Sequence, residues 1–262
     1  MSPMEQYLEQ CRRLTEAVAA QHEAIGEVAS RFADSILSGR VVHLFGSGHS
    51  RIMVEEMWPR YGSFPGFNPI VELSLTFHTQ VAGANGQRQA MFLENVSGLA
   101  ARILRNFELS PQDCALVISS SGCNIVPIEM AEGFSQAGVW TVGLVSEAHC
   151  SGSTSKREDG KKLPDFCQVT LDTGAPLGDS MVFIDGLDTP VAPGSTVGGC
   201  MVVNAIKAEV ALRLNEAGET PPVLTAASVV GAERATDLFE SAYDEHARRL
   251  AKLYEGLGRP EA

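Results

Sequence analysis

Positive charge is scarce in this chain: 20 Lys and Arg face 32 Asp and Glu, a formal charge of −12 over 262 residues. Partners that present a dense row of phosphates demand a basic face, so the balance argues against nucleic acid and against an anionic membrane surface. Long apolar runs are missing too. No stretch reaches bilayer-spanning length, and Met1-Ser2-Pro3-Met4-Glu5-Gln6 lacks the basic and apolar regions of a secretory leader, so a soluble, cytoplasmic protein is expected. The six cysteines, at 11, 114, 123, 150, 167 and 200, form no C-x-x-C or other metal-type pair, and H-E-x-x-H does not occur, so no metal is expected. Cysteines inside apolar runs fit reduced, buried thiols. A G-x-S-x-G elbow is also absent, which sets acyl transfer by a serine nucleophile aside. The chain has no repeat and no low-complexity segment.

With 44% hydrophobic residues the chain has enough apolar material for a large core. Its organising stretch is Asp113 to Pro127. Cys114 to Ile118 is an apolar run of the length of a strand buried on both faces, and it breaks into Ser119-Ser120-Ser121-Gly122. Beyond Gly122, Ile125, Ile128, Phe134 and Ala137 recur at helical spacing, with Pro127 in the first turn. Unpaired N–H groups and the dipole make such a helix start a place for an anion. Ser119, Ser121 and Asn124 supply side-chain donors, and Gly122 allows close backbone approach. The same serines also serve as ordinary helix caps.

A second unit of this kind lies upstream. Val41 to Phe45 reads as a strand running into Gly46-Ser47-Gly48-His49-Ser50 and a short helix from Arg51 to Trp58. It is not a dinucleotide fingerprint, since G-x-G-x-x-G needs glycine where Arg51 stands. Parallel strands would aim both loops at one sheet edge.

The remaining pattern is strand and helix in alternation. Residues 4–38 read as a helical arm, assigned to subunit contact ahead of folding back on its own core. Ile70 to Leu73 reads as a strand, Ser74 to Arg88 as a lid-like loop, Met91 to Phe107 as one helix, Val139 to Val145 and Phe166 to Leu171 as strands. Asp172-Thr173-Gly174-Ala175-Pro176-Leu177-Gly178-Asp179 follows. A long helix runs from Ser195 to Leu214 and a last amphipathic one over 231–256. Lys156, Arg157, Lys161 and Lys162 form the one basic cluster, read as solvated surface rather than a ligand clamp.

Strand–Gly-Ser-Gly-His-Ser–helix, then strand–Ser-Ser-Ser-Gly-Cys-Asn–helix, then a strand leading to Asp-Thr-Gly-Ala-Pro-Leu-Gly-Asp resembles the sugar isomerase (SIS) domain over about residues 35 to 215. The resemblance is nearest to stand-alone SIS proteins, with phosphoheptose isomerase and N-acetylmuramic acid 6-phosphate etherase as more distant relatives. It implies an α/β fold, a five-stranded parallel sheet flanked by helices on both faces in a flavodoxin-like three-layer sandwich. The domain would cover 39–218, between helical extensions at 1–38 and 219–262. It also implies a homodimer or homotetramer that binds a sugar phosphate without metal or other cofactor. The phosphate site then falls on Ser47, Ser50, Ser119, Ser120, Ser121, Gly122 and Asn124, with Asn124 standing where the family usually has Ser or Thr.

Aldose–ketose isomerisation needs a base beside a carbonyl and a second group to shuttle hydroxyl protons. The family's glutamate position falls on Arg60, and Glu56, one helical turn earlier, is the candidate base. A salt bridge on a half-exposed helix is its plainer role. His78 and His49 are the candidate shuttles. The histidine that phosphoheptose isomerase has on its last domain helix is missing from Ser195 to Leu214, which offers Asn204, Lys207 and Glu209. A phosphosugar isomerase, or a related proton-abstraction enzyme, is therefore set against a non-catalytic phosphosugar sensor.

Overall fold

In the computed structural model, which describes residues 1–76 and 86–257, the two apolar runs are central strands. Val42–Gly46 (β1, after helices α1 Pro3–Ala19 and α2 His22–Leu37) and Cys114–Ile118 (β3) are buried along their whole length. Between them come α3 (Arg51–Met57), β2 (Phe67–Ile70), α4 (Gly86–Leu93) and α5 (Leu99–Leu104). After β3 follow α6 (Ile125–Gln136), β4 (Trp140–Val145), α7 (Glu147–Gly152) and β5 (Val169–Asp172). A small antiparallel hairpin, β6 (Ser180–Val182) with β7 (Val191–Pro193), leads into α8 (Ser195–Glu216), α9 (Ala227–Val230) and α10 (Ala232–Lys252).

The five strands form one parallel sheet in the order β2-β1-β3-β4-β5. Alternate residues feed two cores, as the strand period of two requires. Val42, Leu44, Leu116, Ile118 and Leu144 join Phe32, Val54 and Ile206 of α2, α3 and α8 on one face, while Phe45, Val117 and Val145 join Ile103 and Phe134 of α5 and α6 on the other. The expected three-layer α/β sandwich is the fold. The cysteines are free, and burial pushes the Cys114 and Cys167 thiols up to about 12. Among the described residues no helix is long and apolar enough to cross a membrane.

Three of the differences from the sequence pattern have a tertiary reason; the strand expected over 166–171 also lies at 169–172, and the hairpin of β6 and β7 was not expected. The expected arm over 4–38 is two helices, and α2 packs on the chain's own sheet, with Val28, Ala29 and Phe32 fully buried. The chain parts at Gln21, whose side-chain amide accepts from Asp172 N–H and donates to Asp172 O, extending the edge strand β5. The strand expected at 70–73 lies at 67–70, where Pro69 is tolerated because β2 is an edge strand. The helix expected over 91–107 is interrupted between α4 and α5, and Glu129 of α6 accepts from Ser97 Oγ and Gly98 N–H in the gap.

Candidate functional site

β1 and β3 lie side by side, with Gly46 opposite Ile118 at their C-terminal ends. From β1 the chain goes out to β2 on one side and returns to β3 on the other. At such a reversal the loops after the two strands part and leave a crevice. Here it is a cavity of about 460 Å³, and Ser47, His49, Ser50, Ser119, Ser120, Ser121 and Asn124 all line it.

The first loop turns tightly because Gly46 has no side chain: a Cβ there would stand 2.7 Å from both the carbonyl carbon and oxygen of Ser50. Ser50 N–H donates to Ser47 O at 3.0 Å, while the Ser50 hydroxyl bonds to no described residue. In the second loop Ser119 Oγ accepts from Gly122 N–H at 3.2 Å and Ser121 Oγ accepts from Cys123 N–H at 3.3 Å. Each serine therefore keeps its own O–H to donate. Ser120 Oγ is buried and makes no hydrogen bond among the described residues, which in a folded protein asks for a missing partner. Gly122 does not line the cavity. With φ at +61° it shapes the turn, and a Cβ there would press on Cys150 Sγ at 3.0 Å. Asn124 is the N-cap of α6, but its side chain does not cap the helix.

That side chain is committed elsewhere. Asn124 Nδ2 donates to Glu94 Oε1 at 2.7 Å, and Ser47 Oγ donates to Glu94 Oε2 at 2.8 Å, so one carboxyl ties the two loops together. Val126 N–H also donates to Glu94 O, at 2.8 Å. Burial pushes the Glu94 carboxyl above the ordinary carboxylate range, against the opposing pull of the Ser47 hydrogen bond and the Lys156 charge. A carboxyl in a polar cavity with its pKa raised is a candidate for proton transfer. Sequence reasoning passed over Glu94 because its neighbours fit a continuous helix. The signal was Asn95 to Gly98 inside that helix, a cluster that ends helices rather than continuing them.

Glu56 stands apart. It does not line this cavity; it lies on α3 facing a separate groove with Arg60, Tyr61 and Phe239. Asn204 Nδ2 donates to its Oε1 at 2.8 Å, Arg60 pairs with its Oε2, and Lys207 Nζ donates to its backbone oxygen at 2.9 Å. Burial raises its carboxyl, but the Asn204 and Arg60 hydrogen bonds and the Arg60 and Lys207 charges outweigh that, leaving it below the usual range. The polar residues of α8 thus hold Glu56 as a fixed anion, in a helix-to-helix tie. His78 lies outside the described residues.

The polar segment after β4 closes the second loop from outside. Lys156 N–H donates to Cys123 O at 2.9 Å and Leu163 N–H to Gly122 O at 2.8 Å. Arg157, read from sequence as part of a solvated cluster, pairs with Glu132 and Asp159. At the far rim Asp179 accepts from Gly194 N–H, Ser195 N–H and Ser195 Oγ, which caps α8 and occupies its N-terminus. Among the described residues no group of three His, Cys, Asp or Glu is placed to hold a metal ion.

The profile of the SIS domain matches residues 6–146, which includes both loops and Glu94. A UPF0309 protein of Geobacillus kaustophilus is 28% identical over 251 residues, covering 95% of this chain and 93% of that protein. One of Listeria monocytogenes serotype 4b is 30% identical over 234 residues, covering 89% and 92%. Among solved structures, a phosphoheptose isomerase from Francisella tularensis superposes with a TM-score of 0.51 over 80% of this chain and 98% of that one. At 14% identity that likeness concerns the fold.

Proposed function

This chain belongs to the SIS-domain family, and on that footing we propose that it binds a sugar phosphate between its two loops and catalyses proton transfer on it, as an isomerase or a related proton-abstraction enzyme. The observation that carries the reading is the Glu94 carboxyl, joined to both hydroxyl-bearing loops and held above the ordinary carboxylate range. The phosphate would take its hydrogen bonds from Ser50, Ser119, Ser120, Ser121 and the start of α6, which needs no cation in a chain this acidic. Glu94 would remove the proton beside the sugar carbonyl. The C–H electrons then form a C=C bond, the carbonyl electrons move to oxygen, and Glu94 returns the proton to the neighbouring carbon. His49, in the first loop, is the proposed shuttle for the hydroxyl protons. The exposed apolar side chains of α1 and the hairpin, Leu8 and Phe183 among them, support association into a homodimer or homotetramer, which a solution mass measurement checks.

The experiment is a melting screen of the full chain against sugar phosphates and their unphosphorylated forms. A sugar phosphate at a hundredfold its dissociation constant adds about 2.7 kcal/mol of stability, and the free sugar adds none. Conversion of the bound sugar phosphate in the same tube completes the enzyme reading. Binding without conversion replaces it with a sensor, and no shift with any sugar phosphate removes both.

A further inference from the structure

The octapeptide Asp172 to Asp179 has no role in the reading above, yet its polar groups grip the wall of the cavity beyond the second loop. Asp172 Oδ1 accepts from Glu147 N–H at 2.8 Å, Ala175 O accepts from Ser146 Oγ at 2.6 Å, and Gly178 N–H donates to His149 Nδ1 at 2.9 Å. Ser146 Oγ also accepts from His149 N–H at 3.2 Å. The His149 ring is thereby held at its backbone and at one nitrogen, and it lines the cavity. Because Nδ1 accepts, the neutral ring carries its proton on Nε2, and Nε2 bonds to no described residue. His149 also lies beyond the stretch matched by the family profile.

We infer that His149 is a ligand-contacting residue that donates its Nε2–H to a hydroxyl or carbonyl oxygen of the sugar portion, while the serine loops hold the phosphate. The inference rests on the phosphosugar reading. It explains why the octapeptide is bonded so fully to Ser146, Glu147 and His149: it fixes the tautomer and aim of one donor. In the sheet order His149 follows β4, on the opposite side of the second loop from Glu94 and the first loop. A ligand anchored at the second loop therefore lies between the two.

The test is calorimetric titration of the full chain with hexose 6-phosphates and with inorganic phosphate. H149A should weaken the sugar phosphate about 5- to 10-fold, the value of one hydrogen bond, and leave inorganic phosphate unchanged. H149Q, whose amide N–H reaches the Nε2 position, should recover most of that loss. H149N keeps an acceptor for Gly178 but reaches no further, so it should bind like the alanine variant. Equal sugar-phosphate affinity in all four proteins, rescue by Asn and not by Gln, or an equal loss for inorganic phosphate overturns the inference. If H149A does not fold, the Gln–Asn pair decides, together with imidazole ¹⁵N resonances that should show the proton on Nε2 and move with sugar phosphate but not with inorganic phosphate. A wild-type chain that binds no sugar phosphate more tightly than inorganic phosphate overturns the phosphosugar reading itself, and the inference with it.

Discussion

Two glutamates in this chain are pushed in opposite directions by what surrounds them. Desolvation raises the Glu94 carboxyl against the opposing hydrogen bond of Ser47 and the charge of Lys156; for Glu56 desolvation is outweighed by the Asn204 and Arg60 hydrogen bonds and the Arg60 and Lys207 charges, so its carboxyl is lowered. The proposed proton-transfer role is for that reason placed on Glu94 and not on Glu56. E94Q should keep sugar-phosphate binding within a fewfold and lower turnover by about 10²- to 10⁴-fold, the usual contribution of a general acid–base group, in a steady-state assay. E56Q should leave binding and turnover near wild type and lower stability by about 1 kcal/mol through its lost ionic hydrogen bonds, in chemical denaturation. The pH dependences follow with opposite signs. Glu94 is raised in the folded state, so the folded chain holds its proton longer than the unfolded one, and stability falls as pH climbs from the ordinary carboxylate pKa through the raised one. Glu56 is lowered, so its contribution is present above the ordinary value and lost as pH drops through the lowered one. A melting series over pH should show E94Q gaining on wild type as pH rises, and E56Q losing least at the acid end.

At the scale of elements, the site depends on two places where regular structure stops. The interruption between α4 and α5 turns what the apolar spacing presents as a single helix, and Glu94 sits at that turn. The end of β1 is the other. With backbone atoms of Ser50 2.7 Å from where a Gly46 Cβ would lie, the first loop has no room to accept one without shifting. G46A should cost about 1–3 kcal/mol, the usual range for overpacking. It should also abolish sugar-phosphate binding by moving Ser47 and Ser50, while a change of similar stability cost far from the cavity leaves binding intact. Melting and titration on the same samples separate the two effects.

At the scale of the whole molecule, α2 is part of the sandwich: Val28, Ala29 and Phe32 are fully buried against the face that α8 also covers. A chain lacking residues 1–38 should fail to give a cooperative melt, and one that melted like the full chain would refute this account of the core. Apolar periodicity and loop composition located β1, β3, β4 and the hydroxyl-bearing loops of Ser47, Ser50 and Ser119 to Asn124, because a strand buried on both faces and a hydroxyl-rich helix start are local patterns, while the three-layer sandwich came from the resemblance of those motifs to the SIS domain. Which face a helix covers is not local, so the arm at 4–38 gave no sign of where it would lie. Nor is the solvation of a carboxyl: Glu94 and Glu56 are chemically identical in the sequence, and only the packing of α4, α6 and α8 decided which is raised by burial and which is lowered by its hydrogen bonds and neighbouring charges. The aim of His149 was settled in the same way, by a bond to Gly178 across 29 residues of chain.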